Sequence, residues 1–323
     1  MKRKVIQIAE STQLISLPRN WAKQYDIKKG IELDVQIKGN KLEISTEESK
    51  DLEKIDLDIT DLDRTSIMFY IRSAYRTGYD TINITFQTPT TKHLRTGKET
   101  TVISIIHEEV NRLVGVEVIQ QRENFCVVKD ISTLNFDEFD NIVRRIFLLL
   151  TDMANDFTVG LTNNNLSLLE TIEEKHDSIT KFISYCLRLI NKKGFPDQRK
   201  NCILYHILAS LDKVTDAVKY CSRDAIKYDQ KMTDQTIKLI NMIISSVTMY
   251  YNLFYNFQTD LVSKLYTNRD VVLRQIQRLE GVPNDEVIII NKLEAVLEIF
   301  VDLTEAKMSL SLDERKQENV ILQ

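Results

Sequence analysis

Between residues 136 and 312, apolar positions recur every three to four residues, in runs long enough for helices of several turns. Leu169, Ile172, Ile179, Ile183 and Ile190 make one stripe, and Leu204, Ile207, Leu208, Leu211 and Val218 make the next. Glycine and proline in this region are confined to Gly160, Gly194, Pro196, Gly281 and Pro283, which read as points where a helix stops and another starts. The pattern predicts an all-helical body of six helices, roughly 136–159, 165–192, 197–226, 232–256, 258–280 and 285–312, with a polar, fraying tail after Leu312. Met242, Met249, Tyr250, Tyr251, Phe254, Tyr255 and Phe257 crowd the fourth helix, where core packing is the default reading and a partner-facing patch the alternative.

The first 132 residues carry shorter periods. Lys4 to Ala9 and Gln13 to Leu17 read as short strands, and Pro18 opens a two-turn helix over Arg19 to Tyr25 that ends before Gly30. Glu32 to Ile37 and Lys41 to Ser45 read as a hairpin across Gly39-Asn40. The resulting ββαββ head is too small to bury a core alone and should be an obligate dimer. Glu47 to Asp63 reads as an acidic linker with room for one strand, and Asp61 or Asp63 as a helix cap. A helix over Ile67 to Arg76, a strand over Thr81 to Phe86, a polar loop over Thr88 to Gly97 and a helix over Thr101 to Leu113 follow. A hairpin pairing Val116 to Gln121 with Phe125 to Lys129 completes a small α/β sandwich. The fold class is therefore multidomain α+β, with a head at 1–48, a connector at 49–132 and a helical body at 133–323.

The chain of 323 residues has a net charge of −4, which argues against a generic nucleic-acid binder. The charge is uneven. Residues 1–41 hold nine Lys or Arg against four Asp or Glu, a surplus of five positive charges, whereas the rest holds 34 against 43. A basic head on an acidic body suggests that the head meets an anion. No apolar run approaches the ~20 residues of a membrane helix, and the basic N-terminus lacks the apolar stretch of a signal peptide. Cys126, Cys186, Cys202 and Cys221 have no Cys-x-x-Cys spacing and apolar neighbours, and read as reduced core cysteines of a cytoplasmic protein.

Two acidic pairs stand out in the body. Glu173/Asp177 and Asp212/Asp216 are each spaced i,i+4, so each pair shares a helix face. The joint at Gly194 and Pro196 should fold their helices antiparallel and bring the four carboxylates together. They would then repel unless a cation joined them. The plain alternative is a set of solvated helix faces. An internal repeat bears on this. Gly194-x-Pro196 recurs as Gly281-x-Pro283 and Asp212/Asp216 as Glu298/Asp302, while Asp260 and Lys264 stand where Glu173 and Asp177 would map. The second set is expected to be degenerate, with Lys264 neutralising its acids directly. His176 follows the apolar stripe and reads as a buried structural histidine rather than a ligand. His107, beside Glu108, reads as structural or surface. His93, beside Lys92 and Arg95, is either plain surface or part of an anion site.

Leu211-Asp212-Lys213-Val214-Thr215-Asp216-Ala217 resembles the leucine-acid-x-x-x-Asp-(His/Ala) signature of PhoU proteins, and Glu173-x-x-x-Asp177 resembles the acidic motif on their preceding helix. That resemblance covers roughly the C-terminal half. It implies a double three-helix bundle, a divalent or trivalent metal ion (iron, manganese, magnesium or zinc) on Glu173, Asp177, Asp212 and Asp216, and a role in restraining phosphate uptake. Leu17-Pro18-Arg19-x-Trp21-Ala22, Ile27-Lys28-Lys29-Gly30 and the closing hairpin resemble an AbrB/SpoVT swapped-hairpin domain, with Ile31 where an acid commonly follows the glycine. It implies a dimer that binds DNA, with Lys2, Arg3, Lys4, Arg19 and Lys23 as the phosphate-contact candidates, and Trp21 reads as a core residue rather than a base-stacking platform. Tyr75-Arg76-x-Gly78-Tyr79-Asp80 and Gly115-Val116-Glu117-Val118 resemble the connecting region of archaeal proteins that join such a head to a PhoU-like body.

Together these readings give a cytoplasmic, homodimeric, DNA-binding transcription regulator of phosphate homeostasis with a metal-binding sensor bundle, and no enzyme. The rival is a signalling adaptor whose head only dimerises it or binds protein, with the bundle acting on the cytoplasmic face of a phosphate transporter. A di-metal carboxylate enzyme ranks third, the acids being read without an accompanying Glu-x-x-His motif.

Overall fold

The computed structural model of the protein describes residues 2–8, 12–38, 41–46, 52–132, 135–195 and 197–321, with the backbone alone at 36, 38 and from 313 onward. The chain forms two compact units, Met1–Leu52 and Glu53–Gln323.

In the first unit β1 (Ile6–Ile8) pairs antiparallel with β2 (Thr12–Leu14), placing Ile6 opposite Leu14. Pro18, with φ fixed at −61°, opens α1 (Arg19–Gln24). β3 (Leu33–Lys38) pairs antiparallel with β4 (Lys41–Thr46), placing Val35 opposite Ile44. The predicted Gly39-Asn40 turn between them lies outside the described residues. No described residue of this unit is buried. Ile6 is 58% exposed, Val35 54% and Ile37 80%, so two short hairpins and one short helix leave their apolar side chains in water. Trp21, expected in the core, is half-buried against the ring of Tyr25, 5.7 Å away.

The second unit begins with a four-stranded sheet in the order β5-β6-β10-β9. β5 (Lys54–Asp58) runs parallel to β6 (Thr81–Thr85), joined by α2 (Arg64–Thr77). Asp63 caps α2 by accepting from the N–H groups of Thr65 and Ser66 at 3.0 and 3.2 Å. Gly78 ends it at φ +118°, a left-handed conformation that glycine takes without strain. The expected polar loop after β6 in fact holds a small ribbon, β7 (Thr90–Lys92) paired with β8 (Glu99–Thr101). α3 (Val102–Asn111), β9 (Val116–Arg122) and β10 (Phe125–Asp130) complete this part. Ile82, Ile84, Cys126 and Val128 of the sheet share one core with Ile67, Ile71, Ile105 and Ile106 of α2 and α3.

The helical part comprises α4 (Phe139–Thr162), α5 (Leu166–Glu170), α6 (Ile172–Lys192), α7 (Gln198–Tyr228), α8 (Asp234–Tyr255), α9 (Thr259–Ile276) and α10 (Asn284–Ile321). The predicted second helix is split at Thr171 into α5 and α6. The last helix continues nine residues past the predicted end at Leu312, contrary to the expected frayed tail. Pro196 lies outside the described residues. Both predicted stripes are buried in a single core, together with Tyr250 and Leu253 of α8. The mixed α+β class, with strands at the N-terminus and helices after them, follows. No described helix is long and apolar enough to cross a membrane. Cys126, Cys186 and Cys221 are buried and unpaired, and burial pushes their thiols up to about 11, 12 and 12. Cys202 departs from the expectation. It is exposed, because the first turns of α7 leave that face uncovered.

Connector and helical body are one unit, not two. α2 lies against α6, and Arg188 of α6 reaches into the connector, where its side chain is fully buried. It donates Nη1 to the carbonyls of Tyr75 and Tyr79 at 2.8 and 2.9 Å and Nη2 to Asp130 at 2.7 Å, over the Tyr75 ring. Lys192 adds a bond to Asp80.

Candidate functional site

The four acids predicted as metal ligands lie where α6 and α7 meet the connector helices, and each is held by basic side chains of the chain itself. Glu173 accepts from Arg223 Nε at 2.8 Å. Asp177 accepts from Arg112, at the end of α3, through Nε at 3.1 Å and Nη2. Asp212 accepts from Arg76 of α2 at 2.8 Å and from the Thr180 hydroxyl at 2.9 Å. Asp216 accepts from Lys219 at 2.6 Å. The repulsion anticipated from the sequence is thus met by guanidinium and ammonium groups, two of them delivered by the connector.

His176 stands in the middle of this network, 6% exposed, as its place on the apolar stripe suggested. Its Nδ1 lies 2.9 Å from Asp177 and its Nε2 2.9 Å from Asp216. Burial opposes its charged form, but the two carboxylates outweigh burial and the nearby Lys219, and its pKa is raised. Burial would likewise raise the two acids. Hydrogen bonds from His176 and Arg112 instead hold Asp177 down at about 2, and those from His176 and Lys219 hold Asp216 well below the usual carboxylate range.

Glu173, His176 and Asp177 offer ligand atoms that all lie within 4.8 Å of one another, whereas Asp212 and Asp216 do not join that group. Two carboxylates and an imidazole are a donor set that divalent transition metals or zinc take once the ring is neutral. Glu173-x-x-His176 has the Glu-x-x-His spacing, so the expectation that no such motif accompanies the acids does not hold. The second-repeat acids are paired differently from the expectation. Lys264 bonds Asp260 on its own exposed helix face at 2.9 Å, and Arg269, not Lys264, takes Glu298 at 2.7 Å. A lysine at i+4 reaches its own helix neighbour more readily than acids on α10.

Behind Asp177 and Asp212 the network continues in the connector. Glu109, 0% exposed, accepts from Arg72 Nε and Nη2 at 2.6 and 2.9 Å. Its burial raises its pKa in spite of Arg72. Arg76, Arg112, Arg188 and Lys219 were not visible as site residues in the sequence, because nothing in a helical pattern says which acid a given arginine will meet. In the head, Lys2, Arg3, Lys4, Arg19 and Lys23 are all exposed, and none forms an ion pair with a described residue. His107 is exposed and bonded to Gln121 at 2.8 Å, a surface role.

No protein-family model and no curated protein matches the chain.

Proposed function

We propose that the chain is a homodimeric, cytoplasmic DNA-binding transcription regulator of phosphate uptake, with a PhoU-like helical unit that responds to a small ion. The observation that carries this reading is the head. Five exposed basic side chains accompany a set of apolar residues, none of which the head can bury by itself. A second copy pairing through the same strands would cover Ile6, Val35 and Ile37 and double the basic surface, the arrangement of a swapped-hairpin DNA reader. The Leu211–Ala217 segment supports the phosphate assignment by resemblance.

In the helical unit, Glu173, His176 and Asp177 would hold a divalent cation. Its positive charge would add to that of Arg223 and Arg112 on these carboxylates. Metal analysis of reconstituted protein checks this. Glu173→Gln with Asp177→Asn should lose most bound metal and Glu298→Gln with Asp302→Asn little, and equal losses would refute the assignment.

Retention on promoter DNA after heparin challenge tests the main reading. Affinity should fall with salt at a slope of about −0.9 per neutralised phosphate. Lys4→Ala with Arg19→Ala should weaken binding and flatten that slope by about 0.9 per lost contact. DNA binding that survives deletion of residues 1–48 would rule out the head as the reader. A dimer that never retains DNA would favour the adaptor acting on a phosphate transporter.

A further inference from the structure

Beside the acidic pairs lies a cleft of about 160 Å³ whose walls carry Arg64, Arg72, Arg95, Arg112, Lys219 and Arg223. These side chains come from α2, the β7–β8 loop, the end of α3 and α7, so the tertiary fold alone brings them together. Three carboxylates share the wall, Glu108, Glu173 and Asp216. With Glu109 and Asp177, which bond Arg72 and Arg112 from behind the wall, six fixed positive charges meet five negative ones, and Arg95 is the one without a bonded carboxylate among the described residues.

The arginines are held in a particular way. Arg72 grips Glu109, Arg112 grips Asp177 and Arg223 grips Glu173, each through Nε and Nη2. Each guanidinium keeps its Nη1 without a hydrogen-bond partner among the described residues. None of these Nη1 atoms is sealed in protein, since Arg188 Nε is the buried side-chain nitrogen or oxygen left unpartnered there. A carboxylate thus fixes the orientation of each planar fork while leaving donors for something else. Arg95 stacks 5.6 Å from the Tyr220 ring centroid, with no carboxylate bonded to it among the described residues. His93 accepts the Thr96 N–H on Nδ1 at 3.1 Å, which leaves its neutral proton on Nε2 as one more donor at the cleft.

We propose that this cleft binds a phosphate-class oxyanion, as hydrogen phosphate or the phosphoryl end of a small phosphomonoester. A tetrahedral dianion can take N–H groups from several forks at once, whereas a carboxylate satisfies one. The volume is below the roughly 300–1,000 Å³ of sites for drug-sized molecules, so the group held inside is compact. The wall carboxylates set selectivity. Hydrogen phosphate, or a phosphomonoester that keeps one proton, has an O–H to donate to Glu173 or Asp216, and sulfate has none and meets only repulsion there. The site stands whether or not the head binds DNA, and its test does not use DNA.

Calorimetric titration of the full chain at low ionic strength with inorganic phosphate should show saturable binding, at least tenfold tighter than with sulfate. Arg95→Gln with Arg223→Gln should weaken phosphate at least tenfold, with helicity by circular dichroism unchanged. Glu108→Gln, which removes a competing carboxylate and frees Arg64, should tighten it, so the expectation has a second variant of opposite sign. A nucleoside monophosphate run in parallel separates the sources. Tighter binding than phosphate assigns the group to a phosphomonoester and weaker binding to the free ion, and both keep the site. No saturable binding of either, equal affinity for sulfate, or a double arginine variant that binds like the wild type overturns the proposal.

Discussion

His176 sits between Asp177 and Asp216 and ties one helix of the body to the next. Its stabilising contribution has a definite pH window. Because its folded pKa is raised above the ordinary 6.5, the contribution is complete below that value and is lost as pH rises through the folded pKa. Asp177 works from the other side. Held at about 2 against an ordinary 3.8, it contributes above the ordinary value and loses that contribution as pH falls toward 2. The melting temperature of wild type minus that of His176→Gln should therefore be largest between about pH 4 and 6.5 and shrink on both sides. A pH-independent difference would mean that the ring acts only by packing. The burial of His176 was legible in the sequence, since it falls in phase with Ile172, Ile179 and Ile183. Its partners were not legible. Asp177 is a sequence neighbour, but Asp216 is 40 residues away on another helix.

At the scale of elements, helix existence was readable and helix contacts were not. The apolar period and the sparse glycines placed α4 to α10 to within a few residues, apart from the split at Thr171 and the extension of α10. β7 and β8 were missed because Thr90-Thr91-Lys92 and Glu99-Thr100-Thr101 carry no apolar alternation, and cross-strand hydrogen bonds alone define them. The docking of α6 on the connector was equally hidden. It depends on Arg188, which reads in the sequence as one more polar residue beside the stripe but is fully buried against Tyr75, Tyr79 and Asp130. Replacing it with methionine keeps the packing volume but leaves Asp130 and two carbonyls in a dry site. The expected cost is about 3–5 kcal/mol, by analogy with buried pairs broken on one side. Urea unfolding measures it, and combining Arg188→Met with Asp130→Asn should cost less than the sum of the two. A change under 1 kcal/mol would show that water already reaches this contact.

At the scale of the whole molecule, the sequence suggested three domains and the chain forms two units. The boundary near residue 50 was legible as a shift in charge and composition. The boundary near 132 marks a change from sheet to helix, but arginine–carboxylate contacts cross it. The head follows the opposite logic. None of its described residues is buried, and Ile6, Leu14, Ile15, Val35 and Ile37 are exposed in the single chain. Covering these side chains would be favourable, since full burial of an exposed one returns ~1.5–3 kcal/mol and these are about half exposed or more. If a second copy covers them, dimerisation and DNA binding fail together while the larger unit persists. Val35→Asp with Ile37→Asp places unpaired charges on that surface. In sedimentation this variant should run as a monomer, lose promoter DNA retention and keep the helical signal and melting transition of residues 53–323. A variant that stays dimeric would place the contact between copies outside the head, and the exposed strands would then need a different partner.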